Sequence, residues 1–114
     1  LKGKMEYITF DMLQAQMKVW QAHNFPGREE WKPLLGVGEE LGELNHAFLK
    51  LKQGIRGTPE QHRAKMKDAI GDLLIFLADF CNSQDLNMTD CMITTWCDVK
   101  KRDWIKYPLN GVSQ

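Results

Sequence analysis

An excess of charge of either sign is missing from this sequence. Its 15 lysines and arginines balance 15 aspartates and glutamates over 114 residues. That balance argues against a nucleic-acid partner, whose usual footprint is a basic stripe. Long apolar runs are missing too: nothing approaches the roughly 18 residues that cross a bilayer, and no leader-like segment is visible, so no membrane partner is expected. Cysteine is scarce and odd in number. Cys81, Cys91 and Cys97 form no CxxC spacing, which argues against a disulfide framework and a thiolate metal site and favours free thiols in the cytoplasm. Internal repeats, low-complexity stretches and strand-type alternation are also lacking. Leu1-Lys2-Gly3-Lys4 ahead of Met5 is expected to be a cloning remnant and is set aside. The expectation is one domain over residues 1–114, with a core small enough that a second copy would naturally supplement it.

What is present is helical spacing. A first helix is expected from Thr9, as N-cap, to about His23, with Phe10, Leu13, Met17 and Trp20 on one face. Asn24-Phe25-Pro26-Gly27 breaks it. A second helix starts near Trp31 to Pro33 and runs to about Lys52, with Leu34, Val37, Leu41, Leu44, Phe48 and Leu51 on a shared arc. Thr58-Pro59-Glu60-Gln61 reads as a capping box opening a third helix, which carries Ile70, Leu73, Leu74, Leu77 and Phe80 and stops at Asn82-Ser83. Thr89 is the expected cap of a fourth, through Ile93, Trp96 and Val99 to about Trp104, with Tyr107 to Gly111 as loop. Four helices on short connections predict an all-α bundle.

The chemistry-bearing segment is Gly38-Glu39-Glu40-Leu41-Gly42-Glu43. At roughly 100° per residue, Glu40 and Glu43 lie about 60° apart and Glu39 and Glu43 about 40° apart, so all three crowd one flank. Glu40 leans towards the apolar arc; Glu39 points further out. Such a cluster is also the ordinary pattern of a solvated face. Three features point elsewhere. No lysine or arginine of this helix stands one turn from Glu40 or Glu43. Gly36, Gly38 and Gly42 each cost up to roughly 1 kcal/mol against alanine, a cost that close approach by another backbone or a phosphate would explain. On the third helix Asp68, Asp72 and Asp79 share a stripe, with Asp72 inside the apolar run Ile70 to Phe76. A buried carboxylate needs a partner. If these two helices pack as an antiparallel hairpin, the oxygen-only cluster favours Mg²⁺, with Mn²⁺ as a substitute, over zinc.

These residues resemble the MazG-like, all-α nucleotide pyrophosphohydrolases, whose signature is EExxE on one helix and ExxD on the next. Glu39-Glu40-Leu41-Gly42-Glu43 is similar to the first half, and Asp68-Ala69-Ile70-Gly71-Asp72-Leu73-Leu74 to the second. The resemblance extends to Trp20 and His23 and to the closing Lys101-Arg102-Asp103-Trp104-Ile105-Lys106-Tyr107-Pro108, so the chain is similar to a short stand-alone member, of the kind carried on mobile gene cassettes. One position departs: the expected glutamate falls on Ala69, with Asp68 the nearest substitute. The resemblance implies Mg²⁺-dependent hydrolysis of nucleoside or deoxynucleoside triphosphates to monophosphate and pyrophosphate, as house-cleaning of the nucleotide pool. It also implies a homodimer or homotetramer with sites assembled between subunits.

On that reading Glu40, Glu43, Asp72 and Asp68 are the expected metal ligands and Glu39 the water-activating carboxylate. Trp20 and Phe76 are candidates to contact the base, and Lys100, Arg102, Lys106 and Tyr107 to contact the substrate. Trp20, at helical spacing with Leu13 and Met17, reads more readily as core, Phe76 also as simple packing, and the cations, with Lys101, equally as compensation of a helix C-terminus. Two rivals stand beside this. Glu43-x-x-His46 matches one Glu-x-x-His unit of a di-iron carboxylate bundle, although the third helix supplies no second unit. A non-catalytic helical interaction module would use the acidic cluster as a docking face.

Overall fold

The computed structural model describes residues 6–113. Four helices follow in chain order: α1 (Phe10–Asn24), α2 (Lys32–Gln53), α3 (Pro59–Ser83) and α4 (Met88–Val99), with no strand among the described residues. The all-α expectation is met. The expected cloning remnant, residues 1–4, lies outside the described residues.

Local chemistry sets the helix ends. Met12 N donates to Thr9 Oγ1 at 3.1 Å, so Thr9 caps α1. At α3 the box closes in both directions: Gln61 N donates to Thr58 Oγ1 at 3.2 Å and Thr58 N to Gln61 Oε1 at 2.9 Å. Each cap is worth roughly 1 kcal/mol. Gly54, at φ 68°, ends α2 in the left-handed conformation that glycine adopts without a Cβ penalty.

The fourth helix differs from expectation at both ends. Its cap is Asn87, whose Oδ1 accepts from Asp90 N at 2.8 Å; Thr89 Oγ1 instead donates to Asp11 Oδ1 at 3.2 Å. Asn is the stronger N-cap of the two and stands directly before the first turn, Met88-Thr89-Asp90-Cys91, so it takes the position from the later threonine. The helix stops at Val99, not Trp104. Beyond it, Asp103 Oδ1 accepts from the amides of Ile105 and Lys106, the local bonding by which aspartate favours turns over helix interiors.

α2 and α3 form an antiparallel hairpin. Gly36 meets Phe76, the Glu40 carboxyl feels Asp72, and Glu43 and Ala47 share a cavity with Lys65 and Asp68, so the register falls along α3 as it rises along α2. α2 buries Pro33, Glu40 and Ala47, one face at seven-residue spacing. This face is turned by one residue from the expected arc: Leu34, Leu41 and Phe48 stay about half exposed. The cause is size. Pro33, Gly36 and Ala47, facing Ala69 and Phe76, let the helices close together along a line that bulky leucines would hold open.

α1 packs on α3, while α4 touches α1 and α3 but not α2. Buried Gln14 ties the three together. Its Nε2 donates to Asn82 Oδ1 (3.1 Å) and Leu86 O (2.9 Å), its Oε1 accepts from Met88 N (2.8 Å), and Asn82 Nδ2 donates to Gln14 O (2.9 Å). Next to this knot sits the apolar cluster of Ala78, Cys81 and Met88 with Phe10, Leu13 and Leu77. The radius of gyration is 17.9 Å, against ~13 Å for a compact domain of about this size. The helices splay, leaving open grooves beside α3. No described helix is long and apolar enough to cross a membrane.

Candidate metal centre and adjoining groove

The EExxE turn places Glu39, Glu40 and Glu43 together: one carboxylate oxygen from each lies within 4.8 Å of the other two. Their surroundings differ. Glu39 and Glu43 are exposed, whereas Glu40 keeps 7% of its surface and one of its oxygens, Oε2, is buried with no hydrogen-bond partner. The expected inward lean of Glu40 is observed, and its position in the Pro33–Glu40–Ala47 seam explains it. Burial pushes the Glu40 carboxyl up to about 7, and neighbouring Glu43 and the charges of Asp72 and Glu39 add to the rise. No lysine or arginine forms a salt bridge with any of these four carboxylates among the described residues.

The aspartate stripe of α3 divides by partner. Asp72 is half-buried, faces Glu40 across the hairpin and opens onto a large groove. Asp68 is exposed and lies on the opposite flank, in a cavity of about 500 Å³ with Glu39, Glu43, His46 and Lys65. One helical turn thus separates a carboxylate beside Glu40 from one beside Glu43. Asp79 is not part of the cluster, because Arg28 holds it in a two-pronged ion pair at 2.6 and 2.7 Å. Ala69 is buried where the helices touch, so no ligand stands there. His62, the histidine of α3, is buried near the helix start with its Nε2 2.9 Å from the Ile55 carbonyl, away from the carboxylates.

The groove next to Asp72 has a volume of about 1600 Å³. Leu13, Met17, Trp20 and His23 of α1 form one side, the 25–29 segment one end, and Asp72, Ile75, Phe76 and Asp79 of α3 the floor. Trp20 is half exposed rather than core, standing edge-to-face with Phe25 at 5.8 Å between ring centres. Phe76 lines the same groove, its ring pressed on Gly36, where a Cβ would come within 2.5 Å of it. The close approach expected at three glycines occurs at this one, and the group approaching is an aromatic ring. Gly38 and Gly42 face open space.

Lys100, Arg102, Lys106 and Tyr107 line neither cavity. They follow α4, which does not reach α2 within one chain. The cations at the groove are Arg28 and Lys32, the latter paired with Glu29 at 3.1 Å. Sequence patterning passes over both: Arg28 follows a Pro-Gly break and its partner lies 51 residues away, so no local period marks it.

A carboxylate trio with a buried, unpartnered oxygen, next to a fourth carboxylate and an apolar groove, fits a hard divalent cation beside an organic group. Comparison with protein-family models finds no match for this chain, and comparison with curated proteins finds none.

Proposed function

We propose that this protein is a Mg²⁺-dependent nucleoside triphosphate pyrophosphohydrolase. The observation that carries the reading is Glu40, whose carboxyl is buried within an acidic cluster that makes no salt bridge to lysine or arginine among the described residues. A carboxylate so placed is costly unless protonated or bound to a metal, and a donor set of oxygens alone suits Mg²⁺ or Mn²⁺. Glu40, Glu43 and Asp72 would hold the ion, with Asp68 contributing from the Glu43 side. When bound, the ion neutralises the triphosphate and lowers the pKa of a bound water.

The chain's own residues supply the rest. Glu39, exposed at the rim of the trio, orients the attacking water and accepts its proton. The base enters the groove and stacks on Trp20, with Phe76 opposite. Lys32 at the groove meets phosphate oxygens, and so do Lys100, Arg102, Lys106 and Tyr107, brought in from a second copy. A homodimer also covers Leu34, Leu41 and Phe48, a half-exposed apolar stripe at seven-residue spacing on α2.

The test is pyrophosphate release from normal and damaged nucleoside triphosphates with Mg²⁺, comparing wild type with Glu43→Gln and Asp72→Asn. Turnover falls by more than about 100-fold in each variant, since losing even a group behind a metal ligand costs 10–100-fold, while helicity by circular dichroism stays intact. Full activity in either variant contradicts the assignment.

A further inference from the structure

The groove beside the acidic cluster has two aromatic walls, and different devices hold them. On the α3 side the Phe76 ring rests against the backbone of Gly36, so tightly that a methyl group has no room. The facing wall is Trp20 with Phe25. Phe25 caps α1, its N donating to Gln21 O at 2.8 Å and its O accepting from Gln21 Nε2 at 2.9 Å; it opens the 25–31 link, which is interrupted by Pro26 and by Gly27 at φ 73° and whose own backbone bonds, Arg28 N to Phe25 O and Lys32 N to Glu29 O, both span 3.3 Å. The link is fastened to α3 by Arg28, whose Nη1 and Nη2 grip both oxygens of Asp79.

This ion pair is poorly built for stability alone. Its side chains keep only 14% and 7% of their surface, and Arg28 Nε is buried without a partner. A buried pair with an unmet donor is often no better than an apolar pair of the same volume. Its two-pronged geometry, by contrast, is rigid and directional. Both residues line the groove.

We infer that the Arg28–Asp79 ion pair is a specificity latch, fixing the Phe25 link at a set distance from Phe76 and so setting the width of the slot for the substrate's heterocyclic base. This rests on the nucleotide reading above. Arg28 and Asp79 are positioning residues acting through Phe25 and Trp20. A slot of fixed width discriminates among flat rings by fit; a slot with one loose wall adapts to all of them. Glu40, Glu43 and Asp72 sit on the α2–α3 hairpin and do not depend on the link, so the loss appears in binding and selectivity rather than in the chemical step.

The experiment measures kcat and KM for pyrophosphate release from dCTP, dTTP, dATP and dGTP with Mg²⁺, in wild type, Arg28→Lys and the double variant Arg28→Met/Asp79→Leu. Wild type separates its best and worst base by at least about tenfold in kcat/KM, the scale an apolar pocket supplies. In the double variant the spread narrows to about threefold or less through KM, with kcat retained. Arg28→Lys, which keeps the charge but loses the fork, falls between them and decides the matter if the double variant does not fold. No base preference in wild type, or the same ranking with kcat lowered alike for all four bases, overturns the latch. Absence of any pyrophosphate release by wild type defeats the nucleotide reading. The latch itself is then judged by amide hydrogen exchange of Arg28→Lys: faster exchange confined to residues 25–31 sustains it, and unchanged exchange there overturns it.

Discussion

Asp72 and Asp79 stand two turns apart on α3 and both line the same groove, yet they meet opposite electrostatic settings. Asp79 is met by Arg28 at 2.6 Å, and its charge is answered from within the chain. Asp72 is met by Glu40, one carboxyl against another, and neither forms a salt bridge with a lysine or arginine among the described residues. Where a fold supplies its own counter-charge, the carboxylate is finished as a structural part. Where it gathers carboxylates and withholds the counter-charge, the proposed function has a metal ion supply it. The difference lies in the tertiary partner and not in residue type or helical phase, both of which the two aspartates share.

The sharpest way to break this comparison is to remove one charge from each setting. Asp79→Asn leaves Arg28 half-answered in a largely buried position and costs on the order of 3 kcal/mol in urea denaturation. Glu40→Gln takes a charge from a cluster with too many, so in metal-free buffer at pH 8 it raises the melting temperature. Equal losses in both variants would show that the two regions are electrostatically alike.

A second prediction uses pH. The Glu40 carboxyl is pushed up to about 7 from an ordinary 4.5. Between those values the folded chain keeps a proton that the unfolded chain has released, so Glu40 makes the metal-free protein less stable as pH rises through that window. A bound divalent ion takes the proton's place. The gain in melting temperature on adding Mg²⁺ is therefore larger at pH 8 than at pH 5.5, and approaches about 2.7 kcal/mol of stabilisation at a hundred times the dissociation constant. Thermal shift with and without Mg²⁺ at the two pH values checks this; a gain that does not grow with pH would contradict it. The Arg28–Asp79 setting contributes no such Mg²⁺ dependence.

The smallest expected effect compares glycines. Gly36→Ala drives a methyl into the Phe76 ring and destabilises by about 1–3 kcal/mol, whereas Gly38→Ala and Gly42→Ala, facing open space, are neutral or stabilising by up to about 1 kcal/mol. Chemical denaturation separates the three.

Much of the fold was legible because its signals are local. The Thr9 cap and the Thr58–Gln61 box each act within a few residues, and the structure places the helix ends beside them. The cap of α4 was misplaced: Thr89 was expected, and Asn87, two residues earlier, holds the position. The inward lean of Glu40 followed from helical phase. The buried face of α2 was misread by one residue, because leucine content marks an apolar arc while close helix packing is governed by small residues such as Gly36 and Ala47. Beyond local range the sequence is silent. Helical phase put Asp79 on the stripe of Asp68 and Asp72, and nothing near it announces Arg28. Likewise the basic segment after α4 looked ready to meet phosphates, but that depends on which helices α4 touches, and within one chain it does not touch α2.

The most direct measurement is Mn²⁺ binding followed by the loss of free-ion electron paramagnetic resonance signal at pH 8, on wild type, Glu43→Gln, Asp72→Asn and Arg28→Lys. Saturable binding in wild type and Arg28→Lys, lost or weakened by more than about tenfold in the two carboxylate variants, is the predicted result. No saturable binding in wild type, or equal binding in all four proteins, would contradict the claim that these helices gather an unanswered negative charge to hold a metal ion.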